Sequence, residues 1–350
     1  MDEDRPKANL AGSRRPGGPR PDEDGLIARY FAPLAGPGAD GLRDDAATLT
    51  PSPGCDLVLT ADAIVAGVHY FPDDPPDSIA RKALGVNVSD LAAKGASPRG
   101  YLLTLALPDD WSEDWLSGFA AGLGAGLAAF GGALLGGDTV RAVGPAVIGV
   151  TAIGEVPRGA MVRRLGARIG DRLCVSGTIG DAALGLHLRK APPATWAEAL
   201  DASDRAALID RYWHPRPRIA LAPVLRAHAR AAMDVSDGLA GDLAKMLKGG
   251  PDEQGLSAEI DLTALPLSEA AARALAAAPA VLPTIVTGGD DYEILCAVAP
   301  ERLNALLAQA EAVGVALTCI GAVTAGQGAP VFRQASGRVL SIGTGSFRHF

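Results

Sequence analysis

The chain has 350 residues, about twice the usual size of a domain, so two domains are expected. Its 32 basic and 40 acidic residues give a net charge of −8 and a pI near 5.2. This balance argues against a general attraction to nucleic acid or to an anionic membrane surface, and we expect neither as a partner. A soluble enzyme fits the composition better.

The start of the chain and its least polar stretch exclude further classes. Residues 1–24 combine Pro, Gly, Arg and acids without the apolar core of a signal peptide, which predicts a disordered tail. The uncharged stretch 115–137 contains more Gly and Ala than Leu, Ile and Phe, so we interpret it as a close-packed helix followed by a buried strand rather than a membrane span. Four scattered cysteines without zinc-ligand spacing are typical of a reducing cytosol, which predicts a cytoplasmic location.

Residues 25–156 are predicted to form an N-terminal domain in which strands and helices alternate. Turn residues and apolar periodicity predict helices at 26–33, at 77–88 with Asp77 or Ser78 as cap, and in the Ala/Gly-rich stretch after a Ser112 cap. Strands are predicted at 47–50, 56–62, 100–107, 133–139 and 147–154, the fourth of them running into a turn.

A basic, glycine-punctuated connector at 158–170 predicts a domain boundary near Pro157, so that residues 157–350 form a C-terminal domain. Here strands are predicted at 171–176, 231–234, 257–262 and 316–321, and a turn followed by a strand within 284–298. Helices are predicted at 182–190, from about 217, and at 238–248, 268–278 and 300–313. The fold class is therefore α+β or α/β, with two mixed sheet-plus-helix domains and an active-site cleft between them.

Aspartates gather in glycine-rich turns beside these predicted strands and helices, and the stretch Val-Ser-Asp occurs twice, ending at Asp90 and Asp237. The acidic turns contain Asp44, Asp45, Asp62, Asp90, Asp138, Asp234, Asp237, Asp290 and Asp291. A single acid at such a place is usually a helix cap or a solvated turn residue. The repetition of these turns indicates that the carboxylates converge on one site, where they would repel one another unless cations were bound. Mg²⁺ is suited to this role because it bridges carboxylates to phosphate oxygens. The pattern predicts a site for nucleotide and metal.

Other phosphate-binding machineries are not found. The sequence has no P-loop, no H-R-D loop and no D-F-G, and its G-x-G-x-x-A match at 124–129 lacks a preceding strand, so helix packing explains it better. Two alternatives stay open at this point. His69 is either a turn or core histidine or a ligand contact, and Arg163 and Arg164 are either solvated or clamp a phosphate.

Six motifs, in order along the chain, resemble the thiamine-monophosphate kinase family, in the superfamily of aminoimidazole-ribonucleotide synthetase. The motifs are Asp44-Asp45-Ala-Ala, Asp62-x-x-Val-Ala-Gly-Val-His69-Tyr, Lys82-Ala-Leu-Gly-Val-Asn-Val-Ser-Asp90-Leu-Ala-Ala-Lys94-Gly-Ala, Gly136-Gly137-Asp138-Thr, Asp234-Val-Ser-Asp237-Gly-Leu and Gly288-Gly-Asp290-Asp-Tyr-Glu-Ile. The likeness covers nearly all of residues 26–350.

The resemblance implies transfer of the ATP γ-phosphoryl group to thiamine monophosphate, with several Mg²⁺ ions and ATP as co-substrate. It implies these metal ligands: Asp45, Thr60, Ala61 through its backbone, Asp62, Asp90, Asp138, Asp234 and Asp237. It implies ATP contacts at Gly137, Asp138, Arg164 and Ser236, and thiamine phosphate contacts at His69, Asp290 and Phe347. Asp90, Asp138 and Asp237 would be catalytic. It also implies a homodimer joined through strands of the N-terminal domain.

Four positions depart from the family pattern: Arg43 replaces Gly, Ala61 replaces Thr, Asp290 replaces Glu, and Phe347 stands where Tyr is common. Arg43 would disfavour a positive φ and place a cation beside the metals. Two other functions therefore stay open. One is another ATP-using enzyme of the superfamily, with a different phosphorylated or carboxylated substrate, and the other is a protein that binds these ligands without turnover.

Overall fold

The computed structural model describes residues 21–190, 195–248 and 255–340, so Phe347 and most of the predicted tail lie outside the described residues. Where the tail was predicted to end, the Asp22 carboxylate accepts a hydrogen bond from Gly25 N at 3.0 Å and caps a short helix, α1 (Glu23–Leu26). Helical turns continue from there to Leu34, over the first predicted helix.

A mixed four-stranded sheet forms the centre of the N-terminal domain. Its strands are β1 (Cys55–Val65), β2 (Ser97–Leu107), β3 (Ala133–Arg141) and β4 (Val147–Pro157). The spatial order is β1-β4-β2-β3, and only β2 and β3 run parallel to each other. Helices α2 (Pro76–Ala93) and α3 (Glu113–Phe130) pack together, and residues of both belong to the core that the sheet covers.

The two long helices show how far local signals decide the structure. Ser112 caps α3 as predicted, because its hydroxyl accepts a hydrogen bond from Trp115 N at 3.1 Å. The predicted cap of α2 is wrong, since this helix starts with Pro76 at its first position and has no side-chain cap. A Cβ on Gly122 would lie 2.2 Å from the backbone oxygen of Asp77, so the glycines of α3 serve close helix packing.

Three predictions in this domain need correction. Residues 47–50 form no strand, because their alternating pattern has no neighbouring strand to pair with. β3 continues through Gly137 and Asp138, which were expected to lie in a turn. Helix α2 continues five residues beyond the predicted end at Val88, so Asp90 lies inside its last turn, with the side chain held by the helix.

The C-terminal domain has a six-stranded sheet, ordered β10-β7-β9-β5-β8-β6, in which only β10 and β7 run parallel. Its strands are β5 (Arg172–Ser176), β6 (Ala229–Asp234), β7 (Leu256–Asp261), β8 (Ile294–Val298), β9 (Leu317–Ala325) and β10 (Val331–Arg333). Its helices are α4 (Asp181–Arg189), α5 (Ala202–Trp213), α6 (Ala222–His228), α7 (Leu239–Leu247), α8 (Glu269–Ala277), α9 (Leu282–Thr287) and α10 (Leu303–Ala312). Helix α5 and strand β10 were not predicted, and α9 replaces a predicted turn.

The two domains share buried surface where α2 ends. Ala92 and Ala93 of α2 are fully buried in the same apolar cluster as Ile294 and Cys296 of β8. The last turn of α2 is therefore fixed against the C-terminal sheet, and it brings Asp90 to the junction of the domains. We propose a boundary near Pro157, which the end of β4 at that residue supports.

The described part of the chain contains no single helix that is both long and apolar enough to cross a membrane. By length and composition alone, one pair of short helices bent by 119°, Glu269–Ala277 and Pro279–Thr287, passes the same test.

Candidate active site

A cavity of about 590 Å³ lies between the two domains, at the end of α2 and beside strand β6. Strand β1, the connector after β4 and helix α7 complete its wall. The charged and hydroxyl residues that line it are Asp62, Asp90, Lys94, Arg163, Arg164, Asp234, Ser236, Asp237, Asp242 and Lys245. Five of the predicted site aspartates and arginines, together with Ser236, therefore meet here: Asp62, Asp90, Asp234, Asp237 and Arg164.

The N-terminal domain contributes Asp62 from β1 and Asp90 from α2. The Thr60 hydroxyl donates to Asp90 Oδ2 at 2.6 Å, and Asn87 Oδ1 accepts from Asp62 N at 2.9 Å, so the strand and the helix are joined at the acids. Burial, together with repulsion from Asp90 and Asp237, raises the pKa of Asp62. Asp90 and Asp237 are therefore close enough to Asp62 to oppose its ionisation.

The C-terminal domain contributes Asp234, the last residue of β6, and Asp237 in the turn that follows. Burial and repulsion from Asp90 raise the pKa of Asp234 well above its usual value. The turn is possible because Gly238 has φ +107, and a Cβ there would lie 2.4 Å from the carbonyl oxygen of Thr287. Acids from both domains therefore face one cavity and repel each other.

Two lysines balance part of this charge, and the sequence pattern assigns a role to neither. Lys245 Nζ donates to Asp242 Oδ1 at 2.8 Å and also pairs with Asp237. Lys94 Nζ donates to the carbonyl oxygen of Ala232 at 2.9 Å. Their spacing was a usable signal, because Lys94 follows Asp90 by four residues on one helix and Lys245 follows Asp242 by three.

A second group of side chains surrounds Lys82, whose ammonium is buried at the domain junction. Lys82 Nζ donates to Asp290 Oδ2 at 2.8 Å and to the carbonyl oxygen of His69 at 3.1 Å, and it lies 3.8 Å from the centre of the Tyr212 ring. His69 Nδ1 accepts from Val65 N at 3.0 Å. The two predicted substrate contacts, His69 and Asp290, are thus brought together by Lys82.

Asp290 has an unusual backbone, with φ +72 for a residue other than glycine. Its N–H donates to Ser236 O at 2.9 Å, and Tyr292 N donates to Val235 O at 2.8 Å, so this loop is fixed to the turn that contains Asp237. Behind the loop, buried Glu293 pairs with Arg211 at 2.9 Å and with Arg218. The buried ion pairs make the loop a rigid wall of the site.

Three further predicted site residues do not line this cavity. Asp45, Gly137 and Asp138 line a second cavity of about 780 Å³, next to the 44–49 segment. Strand β3, which contains Asp138, is separated from β1 by β4 and β2, and three strand spacings of about 4.8 Å put their axes roughly 14 Å apart. The described residues also contain no group of three or more His, Cys, Asp or Glu side chains placed to hold a metal ion.

Arg43 also differs from the expectation. Its φ is −102, so the backbone at this position does not require glycine. Its guanidinium donates to Asp40 Oδ1 at 2.9 Å and to Asp40 O at 3.0 Å. The side chain is therefore bound to its own turn.

Comparison with known proteins identifies the family. Residues 43–156 match the protein family described as "AIR synthase related protein, N-terminal domain", and residues 168–333 match the corresponding family of C-terminal domains. Thiamine-monophosphate kinase of Caulobacter vibrioides is 43% identical over 317 residues, which cover 89% of this chain and 87% of that protein. The chain belongs to the thiamine-monophosphate kinase family.

Solved structures of thiamine-monophosphate kinases agree with this assignment. The enzyme from Stenotrophomonas maltophilia K279a aligns with a TM-score of 0.75 and 40% identity, over 85% of this chain and 91% of that one. The structure of AaThiL complexed with AMPPCP and TMP aligns with a TM-score of 0.71 and 29% identity, over 88% and 91% of the two chains. The resemblance found in the sequence and the two-domain α/β fold are both confirmed.

Proposed function

We infer that this protein transfers the γ-phosphoryl group of ATP to thiamine monophosphate, giving thiamine diphosphate and ADP. Its family and the AaThiL complex, which contains AMPPCP and TMP, support this reaction. The observation on which the inference depends is the cavity between the domains, where Asp62 and Asp90 face Asp234 and Asp237.

We propose that Asp62, Asp90, Asp234 and Asp237 hold Mg²⁺, with Thr60 and the Ala61 backbone contributing from β1. No three of the described acids are already placed to hold a metal ion, so the carboxylates would have to approach one another when it binds. The donors fit this ion, because Mg²⁺ takes oxygen ligands. Burial and repulsion by neighbouring acids raise the pKa values of Asp62 and Asp234, and a shared cation would offset that repulsion. When bound, Mg²⁺ would neutralise charge on the phosphates. The four acids would keep it between the two domains.

The other residues of the cavity suit a polyphosphate. We propose that Arg164 and Ser236 bind phosphate oxygens of ATP, the first through its guanidinium and the second through its hydroxyl. The acceptor is itself an anionic phosphate, so it needs no general base at neutral pH. The chain has to hold two anions in line and exclude other geometries, which is the main task in phosphoryl transfer.

The substrate side is proposed to lie at Lys82. Because Lys82 binds one oxygen of Asp290, it fixes the orientation of the carboxylate, and the Tyr292 hydroxyl donates to the other oxygen at 3.4 Å. We propose that His69 and Asp290 contact thiamine monophosphate from this position. We also propose that Phe347 contacts thiamine monophosphate.

We propose that the protein is a homodimer joined through the first sheet. The face of this sheet away from the helices exposes Leu59, Leu102 and Val140, which are 64%, 39% and 43% exposed. Such an apolar face favours association. A second copy on this face would lie beside the cavity of Asp45, Gly137 and Asp138, whose proposed metal and ATP contacts would then depend on the dimer.

A cytoplasmic location is proposed as well. The four cysteines are all free, and Cys174 and Cys296 are buried. Unpaired thiols are common in a reducing compartment.

The direct test combines purified protein, ATP, Mg²⁺ and thiamine monophosphate and measures thiamine diphosphate and ADP. We expect both products in equal amounts, and neither when Mg²⁺ is chelated. ADP formation with a different phosphorylated or carboxylated acceptor would identify another enzyme of the superfamily. Binding of both ligands without any product would identify a binding protein.

A further inference from the structure

Lys94 connects three segments of the chain at the wall of the acidic cavity. Its backbone carbonyl accepts from Val162 N at 3.1 Å, and its ammonium donates to Ala232 O at 2.9 Å. Ala232 N in turn donates to Arg163 O at 3.0 Å. The end of α2, the connector and β6 are therefore joined through one lysine and two backbone contacts.

This contact covers the edge of the C-terminal sheet, where Ala232 is fully buried. Strand β6 is the last strand of its sheet, so the outer N–H and C=O groups of Ala232 have no neighbouring strand to bind. The connector and Lys94 satisfy both groups. The position of Asp234, two residues further along β6, is thereby tied to helix α2 of the other domain.

Among the residues that the structure describes, the Lys94 ammonium donates one hydrogen bond, which leaves further donors for a ligand. A lysine has three N–H donors, and one of them binds Ala232 O. Within the described residues, no carboxylate lies within ion-pair distance of Lys94 Nζ, although Asp234 and Asp90 attract it electrostatically and it lines their cavity. The charge of Lys94 is therefore not held by a direct ion pair, whereas Lys245 is paired with Asp237 and Asp242.

We propose that Lys94 is a positioning residue for the phosphates: a cation held at the domain junction by Ala232, whose charge draws a polyphosphate into the acidic cavity and weakens the binding of Mg²⁺ there. This inference depends on the proposed metal and nucleotide site. A fixed positive charge repels Mg²⁺ and attracts a polyphosphate. Its removal should therefore change the two affinities in opposite directions, whereas the loss of a purely structural contact would weaken both.

The test uses three variants of the full chain and two simple probes. Lys94→Met removes the charge and the donor, Lys94→Gln removes the charge and keeps a donor, and Lys94→Arg keeps the charge. Lys190→Met, at an exposed lysine after α4, is the matched control. Calorimetric titration measures binding of Mg²⁺ alone, and of inorganic tripolyphosphate in the presence of a chelator.

For Lys94→Met and Lys94→Gln we expect Mg²⁺ to bind about fivefold more tightly and tripolyphosphate about fivefold more weakly, the effect of one partly screened unit charge. Lys94→Arg and the control should stay within about twofold of the unmodified protein. In a steady-state assay, KM for ATP should rise more than kcat falls.

Unchanged affinities in Lys94→Met, a parallel loss of both ligands, or a fivefold effect in the control would each overturn the proposal. Failure of all the Lys94 variants to fold in saturating Mg²⁺ would also overturn it, because the cation would then be needed for the fold itself. If the unmodified protein binds no Mg²⁺, the proposed function fails, and this result is distinct from a Mg²⁺ affinity that does not respond to Lys94.

Discussion

Replacement of Asp90 by Asn separates the contribution of this acid to the reaction from its contribution to folding. Asp90 accepts the Thr60 hydroxyl at 2.6 Å, and its charge is among the causes that raise the pKa values of Asp62 and Asp234. The amide oxygen of Asn can still accept from Thr60, at a cost of about 1 kcal/mol for a weaker hydrogen bond. Loss of the charge removes the repulsions of Asp90 with Asp62 and Asp234, and this removal stabilises the fold by about 1–2 kcal/mol.

The two effects nearly cancel, so we expect the metal-free Asp90→Asn protein to melt within about 3 °C of the unmodified protein. Turnover should fall at least about 1,000-fold, equivalent to roughly 4 kcal/mol of lost transition-state stabilisation. The increase in melting temperature caused by Mg²⁺ should largely disappear. Glu311→Gln, which removes an exposed acid from α10, serves as the control.

Thiamine diphosphate formation and thermal melting with and without Mg²⁺ give the required measurements. If Asp90→Asn keeps turnover within tenfold, or if Mg²⁺ raises its melting temperature as much as before, Asp90 does not hold the metal. A fall of more than about 10 °C without metal would show that the acid is structural instead.

Three further outcomes are expected. Lys82→Met leaves the Asp290 carboxylate without its ion-pair partner at the domain junction and should lower the free energy of unfolding by about 3 kcal/mol. In a denaturant titration, the double variant with Asp290→Asn should recover about half of this loss. Gly137→Ala would place a Cβ 1.8 Å from Leu103 O, so it should destabilise the β2–β3 pair by about 3 kcal/mol, and a similar melting temperature would contradict this contact. Burial opposes ionisation of Glu155, but hydrogen bonds from Ser52 and Arg99 outweigh this effect and lower the pKa of Glu155. The stabilisation that the Glu155 carboxylate gives is therefore present above its pKa in the unfolded chain and is lost as the pH falls through its lower pKa in the folded protein. Glu155→Gln should flatten the acid limb of a curve of unfolding free energy against pH.

Most helices and strands were predictable because their signals are local. Ser112 identified the start of α3, and alternation identified most of the sheet strands. The same signals misled at 47–50, where a strand-like pattern lacks a partner. Helix α5 was missed, although Asp201 accepts from Asp204 N at 2.8 Å as an ordinary helix cap and its apolar residues recur at helical spacing.

The site was predictable only in part. The repeated Val-Ser-Asp stretch placed Asp90 and Asp237 at one cavity, because both motifs end strands or helices that meet at the domain junction. Strand order decides the position of Asp138, and nothing local shows that β4 lies between β1 and β2. The spacing of Lys94 from Asp90 was a local signal, but the contact of Lys94 with Ala232 joins residues far apart in the chain and could not be predicted.

Side-chain hydrogen bonds and ion pairs join the two domains independently of the peptide link between them. Lys82 binds Asp290, Arg189 binds Asp74 at 2.9 Å, and Lys94 binds Ala232, so the halves are held together without relying on the peptide link. The link itself passes through exposed Gly159. Cleavage there should leave a working pair of fragments, and two separate genes could in principle encode one enzyme.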